Sequence, residues 1–154
     1  MEGFLLCSRK KADSAAWAKE MKVFEEKYKS NAAPKKFEKK DKDEAIPALI
    51  SQLNAAAGAQ KKDLGYVLQI LVTLKLLTRE LAGLEALFCP ELITGLLVVL
   101  KTVPQSEAEV KITEATYAVL VNCFIVNRAK SNKLVETSID CELLLRNLAH
   151  HHKS

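Results

Sequence analysis

The stretch that decides the fold runs from Asp63 to Leu100 and reads DLGYVLQILVTLKLLTRELAGLEALFCPELITGLLVVL. In its first half, apolar residues recur at i, i+3, i+4 and i+7, the spacing that gives a helix one wide apolar face. The residues of this face are Leu64, Val67, Leu68, Leu71, Leu74 and Leu77. Ile70, Val72 and Leu76 extend the apolar character around the helix. We therefore expect neighbouring helices to cover it on more than one side.

Three residues predict where the helices of this stretch begin and end. Asp63 is placed to accept hydrogen bonds from the first-turn N–H groups as an N-cap. Gly83 suits a helix C-terminus, because glycine enters the left-handed region without a Cβ penalty. Pro90 suits the first position of the next helix, where a missing N–H costs nothing. That second helix buries Leu92, Ile93, Leu96, Leu97 and Leu100.

Towards the N-terminus, residues 1–12 show no clear period and are expected to be a loose end. Ser14 is expected to cap an amphipathic helix that runs to about Lys29. The apolar stripe of this helix consists of Trp17, Met21, Phe24 and Tyr28. Pro34 and a run of lysines then predict a basic linker over about residues 30–42. This linker is either a solvated connector or a basic contact for an acidic partner.

The next helix is expected to start at Asp43 as its N-cap, with Pro47 near the first turn, and to fade at Gly58. After the central stretch, Ser106 and Glu109 have the spacing of a capping box. They predict a helix from Glu107 to about Val126. Its apolar face is expected to contain Val110, Ile112, Tyr117, Leu120, Val121, Phe124 and Ile125. A last helix is expected over about 140–148, followed by a loose tail at 149–154.

No strand emerges, so the sequence predicts an all-α domain over 13–148. Two segments look alike: LVTLKLLTRELAGLEALFCPELITGLL from Leu71 and LVNCFIVNRAKSNKLVETSIDCELLL from Leu120. They align with a period near 49 residues, which places Arg79 opposite Arg128. Such a repeat is typical of armadillo and HEAT arrays, which are right-handed α-solenoids. A single irregular helical bundle is the alternative.

Composition narrows the class of protein. The chain is 49% apolar and has a net charge of +4, so it can bury a core but lacks the dense basic stripe of a nucleic-acid-binding protein. The longest strongly apolar run, Leu92–Leu100, is about half the length needed to cross a bilayer. The four cysteines are scattered without a CxxC pair, which favours reduced thiols. We expect a cytoplasmic protein with no membrane span.

The sequence also lacks the motifs of an enzyme. It contains no glycine-rich phosphate loop, no HExxH and no GxSxG. His150–His152 forms a cluster in the predicted tail, where three consecutive residues cannot all face one metal from a rigid scaffold. We therefore assign no catalytic, cofactor-binding or metal-binding residues, and a small helical enzyme is the least supported hypothesis.

A family resemblance rests on two parts of the chain. The run LKLLTRELAGLEALF at Leu74–Phe88 resembles the N-terminal armadillo-like segment of the synembryn family. Members of that family are cytosolic chaperones and exchange factors for heterotrimeric G-protein alpha subunits. Within it, Leu77–Glu80 matches a family signature of leucine, small polar residue, arginine and acidic residue. Glu109–Asn127 resembles a second family feature, with Asn122 and Cys123 as the nearest matches.

The resemblance covers about residues 20–148 and implies a scaffold that binds a G-protein alpha subunit by protein–protein contact. Such a scaffold would hold a nucleotide-free or incompletely folded alpha subunit. The first dozen residues do not match the family. Family members continue for several hundred residues, and most alpha-subunit contacts lie in that further part, so no contact is carried over to this chain. A generic helical adaptor without a link to G proteins is the alternative.

Three residues are candidates for partner binding: Arg79, Asn122 and Arg128. Each arginine either pairs with an acidic partner or interacts with the helix dipole in the last turn of its helix. Asn122 either bonds a neighbouring backbone or lines a concave binding face. Leucines at 143–145 and 148 would lack a following repeat to cover them, which predicts self-association through the C-terminal helix.

Overall fold

The computed structural model describes residues 2–29, 37–78, 89–101 and 104–126. Across these ranges the chain forms helices and no strand, which confirms the all-α prediction. The helices are α1 (Glu2–Arg9), α2 (Ser14–Tyr28), α3 (Lys39–Gly58), α4 (Leu64–Leu77), α5 (Pro90–Leu100) and α6 (Glu107–Val126).

The helices pack in two layers. One layer contains α2, α4 and α6, with α4 in contact with both of the others. The second layer contains α1, α3 and α5, with α3 in contact with both of the others. Each consecutive pair, α1 with α2, α3 with α4 and α5 with α6, also packs across the layers. The core lies between the layers, and we call them the even layer and the odd layer.

The central stretch behaves largely as predicted. Asp63 caps α4, and its Oδ1 accepts a hydrogen bond from the Tyr66 N–H at 3.0 Å. Pro90 is the first residue of α5. The buried face of α5 includes the expected Leu92, Ile93, Leu96 and Leu100, whereas Leu97 is only partly buried. Gly83 lies outside the described residues.

The capping box of α6 is also confirmed. The Ser106 hydroxyl accepts from the Glu109 N–H at 3.3 Å and donates to the Glu109 carboxylate at 3.1 Å. The same carboxylate accepts from the backbone N–H of Gln105 at 2.8 Å. This backbone hydrogen bond, together with the one from Ser106, holds the pKa of Glu109 below its usual value. The negative charge therefore sits at the helix end that favours it.

The expectation of a loose end over residues 1–12 is wrong for residues 2–9, which form α1. Phe4 is buried, with its ring 4.9 Å from the Phe24 ring and 6.1 Å from the Trp17 ring, measured between centroids. The Arg9 guanidinium donates two hydrogen bonds of 3.0 Å to the Glu44 carboxylate on α3. An eight-residue helix has too few inward positions to show a period, so its sequence gave no signal.

Two predicted helix starts are wrong. Asp13, not Ser14, caps α2, because its Oδ1 accepts from the Ala16 N–H at 2.9 Å. The third helix begins at Lys39, before the predicted cap at Asp43, so Pro47 lies in its third turn. Part of the predicted basic linker is therefore helical, and residues 30–36 lie outside the described residues.

A buried lysine belongs to this corrected segment. Lys42 is buried in α3, and its Nζ lies 5.9 Å from the centroid of the Phe37 ring. A cation over an aromatic face gains from the ring's quadrupole, which partly offsets the loss of water. The segment predicted as a linker is therefore not only a solvated run of charges, because Lys42 is buried.

A close approach joins α3 and α5. The Asn54 amide Nδ2 donates to the Glu91 carbonyl at 3.1 Å. A Cβ on Gly95 would lie 2.5 Å from the Asn54 Oδ1, closer than side chains approach. Glycine at this position therefore lets the two helices of the odd layer pack together.

The burial of α1 predicts a difference between two substitutions on that helix. Phe4→Ala should lower the free energy of unfolding by about 3 kcal/mol, because it empties a buried aromatic site. Leu6→Ala, at a half-exposed position of the same helix, should change it by less than about 0.5 kcal/mol. Urea denaturation followed by circular dichroism measures both. Equal, small effects would contradict the docking of α1.

Candidate functional site

A groove on the even layer is lined by residues from three helices and has a volume of about 320 Å³. Its lining consists of Glu25 on α2 and Lys29 at the C-terminal cap of α2, Leu68, Val72, Lys75 and Leu76 on α4, and Lys111, Glu114 and Ala115 on α6. We call it the α4 groove, because α4 supplies its floor.

The floor follows from the apolar pattern of α4. Leu68, Val72 and Leu76 are spaced by four residues and so lie along one side of the helix. Leu76 belongs to the buried core, whereas Leu68 and Val72 are partly buried and pack against its edge. A helix that is apolar nearly all round thus keeps two apolar side chains partly exposed after its inner face is buried. Helices α2 and α6 flank it and form the walls.

Charged side chains form the rim of the groove. On the α6 side, the Lys111 ammonium donates to the Glu107 carboxylate one turn earlier. This hydrogen bond lowers the pKa of Glu107 and raises the pKa of Lys111. The side chains of Lys29 and Lys75 are exposed and form no ion pair with any residue in the described ranges. Lys29 and Lys75 share the rim with the carboxylates of Glu25 and Glu114, so the charges of the rim largely balance.

Of the three residues predicted to bind a partner, only Asn122 can be placed. Its amide donates a hydrogen bond to the Thr78 hydroxyl, which in turn donates to the Lys75 carbonyl at 2.9 Å. Asn122 thus joins α6 to the C-terminal end of α4. Its half-buried amide has a hydrogen-bond partner, as polar groups away from water require. It does not line the α4 groove. Arg79 and Arg128 lie outside the described residues.

The apolar surface of the groove continues onto α6. In the sequence repeat, Val121 aligns with Val72 and Ile125 aligns with Leu76. Leu76 is 7% exposed, whereas Val121 and Ile125 are 51% and 65% exposed. The difference arises because α4 has even-layer neighbours on both sides, while α6 has one among the described helices. Val121 and Ile125, two of the apolar residues that the sequence places on this helix, therefore stay exposed.

Sequence reasoning missed the groove because its lining comes from three separate segments, and no local pattern links them. The repeat gave no signal for the exposed pair, because Leu76, which aligns with Ile125, is buried in α4. The buried face of α6 is instead made by Ile112, Ala115, Val119, Leu120 and Cys123, together with Thr113 and Thr116.

The three cysteines in the described ranges carry free thiols, as their scattered spacing predicts. Cys7 and Cys123 are buried and Cys89 is half-buried, while Cys141 lies outside the described residues. Burial raises the pKa of Cys123 to about 12 and also raises the pKa values of Cys7 and Cys89. Their nucleophilic thiolate forms are thus disfavoured near neutral pH.

Within the described ranges, no helix is both long enough and apolar enough to span a bilayer. No group of three or more His, Cys, Asp or Glu residues in the same part of the chain is arranged to hold a metal ion.

Comparisons with protein-family models, curated proteins and solved structures find no match to this chain.

The bond between Asn122 and Thr78 predicts an energetic coupling. Asn122→Ala and Thr78→Val should each lower the free energy of unfolding by about 1–2 kcal/mol, because each leaves a part-buried polar group without its partner. The double variant should lose less than the sum, with a coupling of about 1 kcal/mol. Urea denaturation of the four proteins measures this.

A matched control uses Thr73→Val, which removes a hydroxyl that bonds the Gln69 carbonyl within α4. Its effect should add to that of Asn122→Ala. If Thr78→Val and Asn122→Ala are just as additive, the interhelical bond contributes nothing.

Proposed function

We propose that this protein is a protein-interaction scaffold of the armadillo/HEAT type, a right-handed α-solenoid piece whose even layer is its binding face. The order of helix packing carries this proposal. The helices pack in consecutive pairs, α1 with α2, α3 with α4 and α5 with α6, and each helix also contacts the helix two positions away, so successive pairs stack side by side. Stacked helix pairs are the building units of α-solenoids, and none of them can bury its apolar face alone.

The repeat supports the same proposal. Its two copies begin in α4 and α6, which are neighbours in the even layer. Equivalent segments at equivalent places in adjacent units are what a stack of repeats requires. The second half of the second copy lies outside the described residues, so α4, α5 and α6 carry this support.

We propose a G-protein alpha subunit as the partner, on the basis of the resemblance to the synembryn family. The two family-like segments meet in space, since Thr78 of one accepts the hydrogen bond of Asn122 in the other. The scaffold would hold a nucleotide-free or incompletely folded alpha subunit, so that nucleotide release or folding can proceed. It would act by contact alone, in the cytoplasm, where free thiols persist.

The alternative is a general helical adaptor that binds other proteins. The side chain of Asn122 favours this alternative, because the hydrogen bond to Thr78 gives that side chain a structural role. The α4 groove would also serve an adaptor, since an apolar floor with a charged rim suits many protein ligands.

Self-association is a second proposal for the even layer. The leucines at 143–145 and 148, on which the sequence argument rests, lie outside the described residues. Val121 and Ile125 add an apolar pair on α6 that is exposed to solvent. Exposed apolar patches favour association with other proteins, including a second copy.

A capture experiment separates the two partner classes. The immobilised protein is incubated with G-protein alpha subunits in the nucleotide-free and the GDP-bound forms. The alpha-subunit proposal predicts preferential capture of the nucleotide-free form. It also predicts several-fold weaker capture by Ile125→Glu, which places a charge on the binding face. Leu6→Glu is the control, since Leu6 is similarly exposed but lies on α1 of the odd layer.

Equal capture of both forms, or none, would contradict the alpha-subunit proposal and leave the adaptor. Capture that is unaffected by Ile125→Glu would move the binding face away from the even layer. Circular dichroism of each variant confirms that the fold is intact.

A further inference from the structure

We propose that α1 is a displaceable helix that covers a helix-binding site on α2 and α3 and competes there with a partner helix of the same pattern. That pattern is an aromatic anchor in the place of Phe4, a small side chain one turn later in the place of Cys7, and a cation in the place of Arg9. The inference goes beyond the proposed function, because it concerns the surface beneath α1 and not the outward face of the even layer. We call the surface that α1 covers the α1 site.

Helix α1 lies on the rest of the molecule as a bound helical peptide does. It packs chiefly on α2 and α3. Its two buried side chains, Phe4 and Cys7, are three residues apart and therefore lie on one face of the helix. Phe4 is 2% exposed, and its ring lies against the rings of Trp17 and Phe24. An aromatic anchor in an apolar site is a common way for an amphipathic helix to bind in a groove.

The polar attachment of α1 is an exposed ion pair. The Arg9 guanidinium donates two hydrogen bonds to the Glu44 carboxylate of α3, and the Arg9 side chain is 64% exposed. The bidentate geometry fixes the direction of the contact. Because water screens an exposed pair, it contributes little to the free energy of attachment. The ion pair therefore orients α1, and Phe4 supplies most of its attachment.

The buried part of α1 is small. It buries two side chains, whereas α4 buries eight. Elements with few buried apolar contacts open locally, at a lower free energy than that of global unfolding. The packing of α4 on α2, α3 and α6 does not involve α1. Helix α1 can therefore leave its site while the remaining helices stay packed.

The link between α1 and α2 also favours release. Lys11 has a φ of 48°, in the left-handed region that residues other than glycine rarely adopt. The turn that contains it is closed by a hydrogen bond from the Ala12 N–H to the Cys7 carbonyl at 3.0 Å. Once α1 leaves, Lys11 can return to a more favourable backbone conformation. The docked state thus carries a local cost that the released state does not.

Release of α1 opens the site to another helix. It uncovers the ring surfaces of Trp17 and Phe24 that Phe4 covers, and it removes the Arg9 partner of Glu44. An incoming helix with the same pattern would bury its aromatic anchor on these rings and pair its cation with Glu44. In the structure, α1 holds the site closed, which makes it an autoinhibitory contact.

The first test measures release of α1 in the intact protein by the rate at which N-ethylmaleimide modifies each cysteine. Cys7 on α1 and Cys123 on α6 are both buried. Cys7 should react about tenfold faster or more, because local release of α1 exposes it, whereas Cys123 requires wider opening. Mass spectrometry of peptides from the labelled protein resolves the two sites.

Two charge reversals on α1 and its link provide a matched pair. Arg9→Glu breaks the ion pair with Glu44 and should speed the modification of Cys7 about threefold or more. Lys10→Glu makes the same change of charge at the next residue, which forms no ion pair within the described part of the chain. It should change the rate less than about twofold.

The second test offers the site a helix in trans. The probe is a fluorescent synthetic peptide with the sequence of residues 2–12, measured by fluorescence anisotropy. Phe4→Ala removes the anchor of α1 and should vacate the site, so the peptide should bind this variant about tenfold more tightly than the unaltered protein. A peptide with alanine in place of its phenylalanine should bind neither. Circular dichroism checks that the variant stays helical.

The inference is overturned if Cys7 reacts no faster than Cys123 or if Arg9→Glu and Lys10→Glu have the same effect. It is also overturned if the peptide binds the Phe4→Ala variant no more tightly than the unaltered protein. If Phe4→Ala unfolds the chain, Arg9→Glu takes its place in the peptide experiment, because its position is exposed. None of these measurements uses a G-protein alpha subunit, so failure of the inference and failure of the proposed function are distinguishable.

Discussion

The structure depends on the burial of one helix, α4, on three sides. Its sequence is apolar almost all round, so no single neighbour can cover it. The contacts of α4 with α2, α3 and α6 meet this requirement and also fix the arrangement of the chain, because they place α2 and α6 on either side of it and α3 beneath it. The remaining helices, α1 and α5, then extend the layer that contains α3.

The same constraint explains why a groove exists. Once its inner face is buried, α4 still carries Leu68 and Val72, which its even-layer neighbours cover only in part. On α6, which has one even-layer neighbour among the described helices, Val121 and Ile125 stay exposed. The exposure of apolar residues in the even layer thus depends on how many helices flank them.

The sequence predicted the features that depend on local chemistry. The caps at Asp63 and Ser106 and the proline at the start of α5 need only residues within one turn of the helix end, so a short window contains all the information. The predicted N-cap at Asp43 is wrong. Pro47 indicated that the first turn of the helix lies nearby, but the helix begins at Lys39 and contains the proline in its third turn.

The features that the sequence did not predict depend on contacts between distant segments. Helix α1 is held by Phe4 against α2 and by Arg9 on α3, and neither contact leaves a local period. The direction of Val121 and Ile125 depends on which face of α6 meets α4 and α5. The α4 groove needs three helices whose order of packing has no local signal. The repeat carried long-range information, but it aligned the exposed Ile125 with the buried Leu76 and so did not predict which side chains stay exposed.

Hydrogen exchange of the backbone amides, measured helix by helix by NMR, tests the central role of α4 most directly. Amides in a helix that is covered on three sides open mainly through global unfolding. We expect residues 70–77 to exchange most slowly, with protection close to the full free energy of unfolding, and α1 to exchange faster. Exchange in α4 that is as fast as in α1 would contradict the central role of α4.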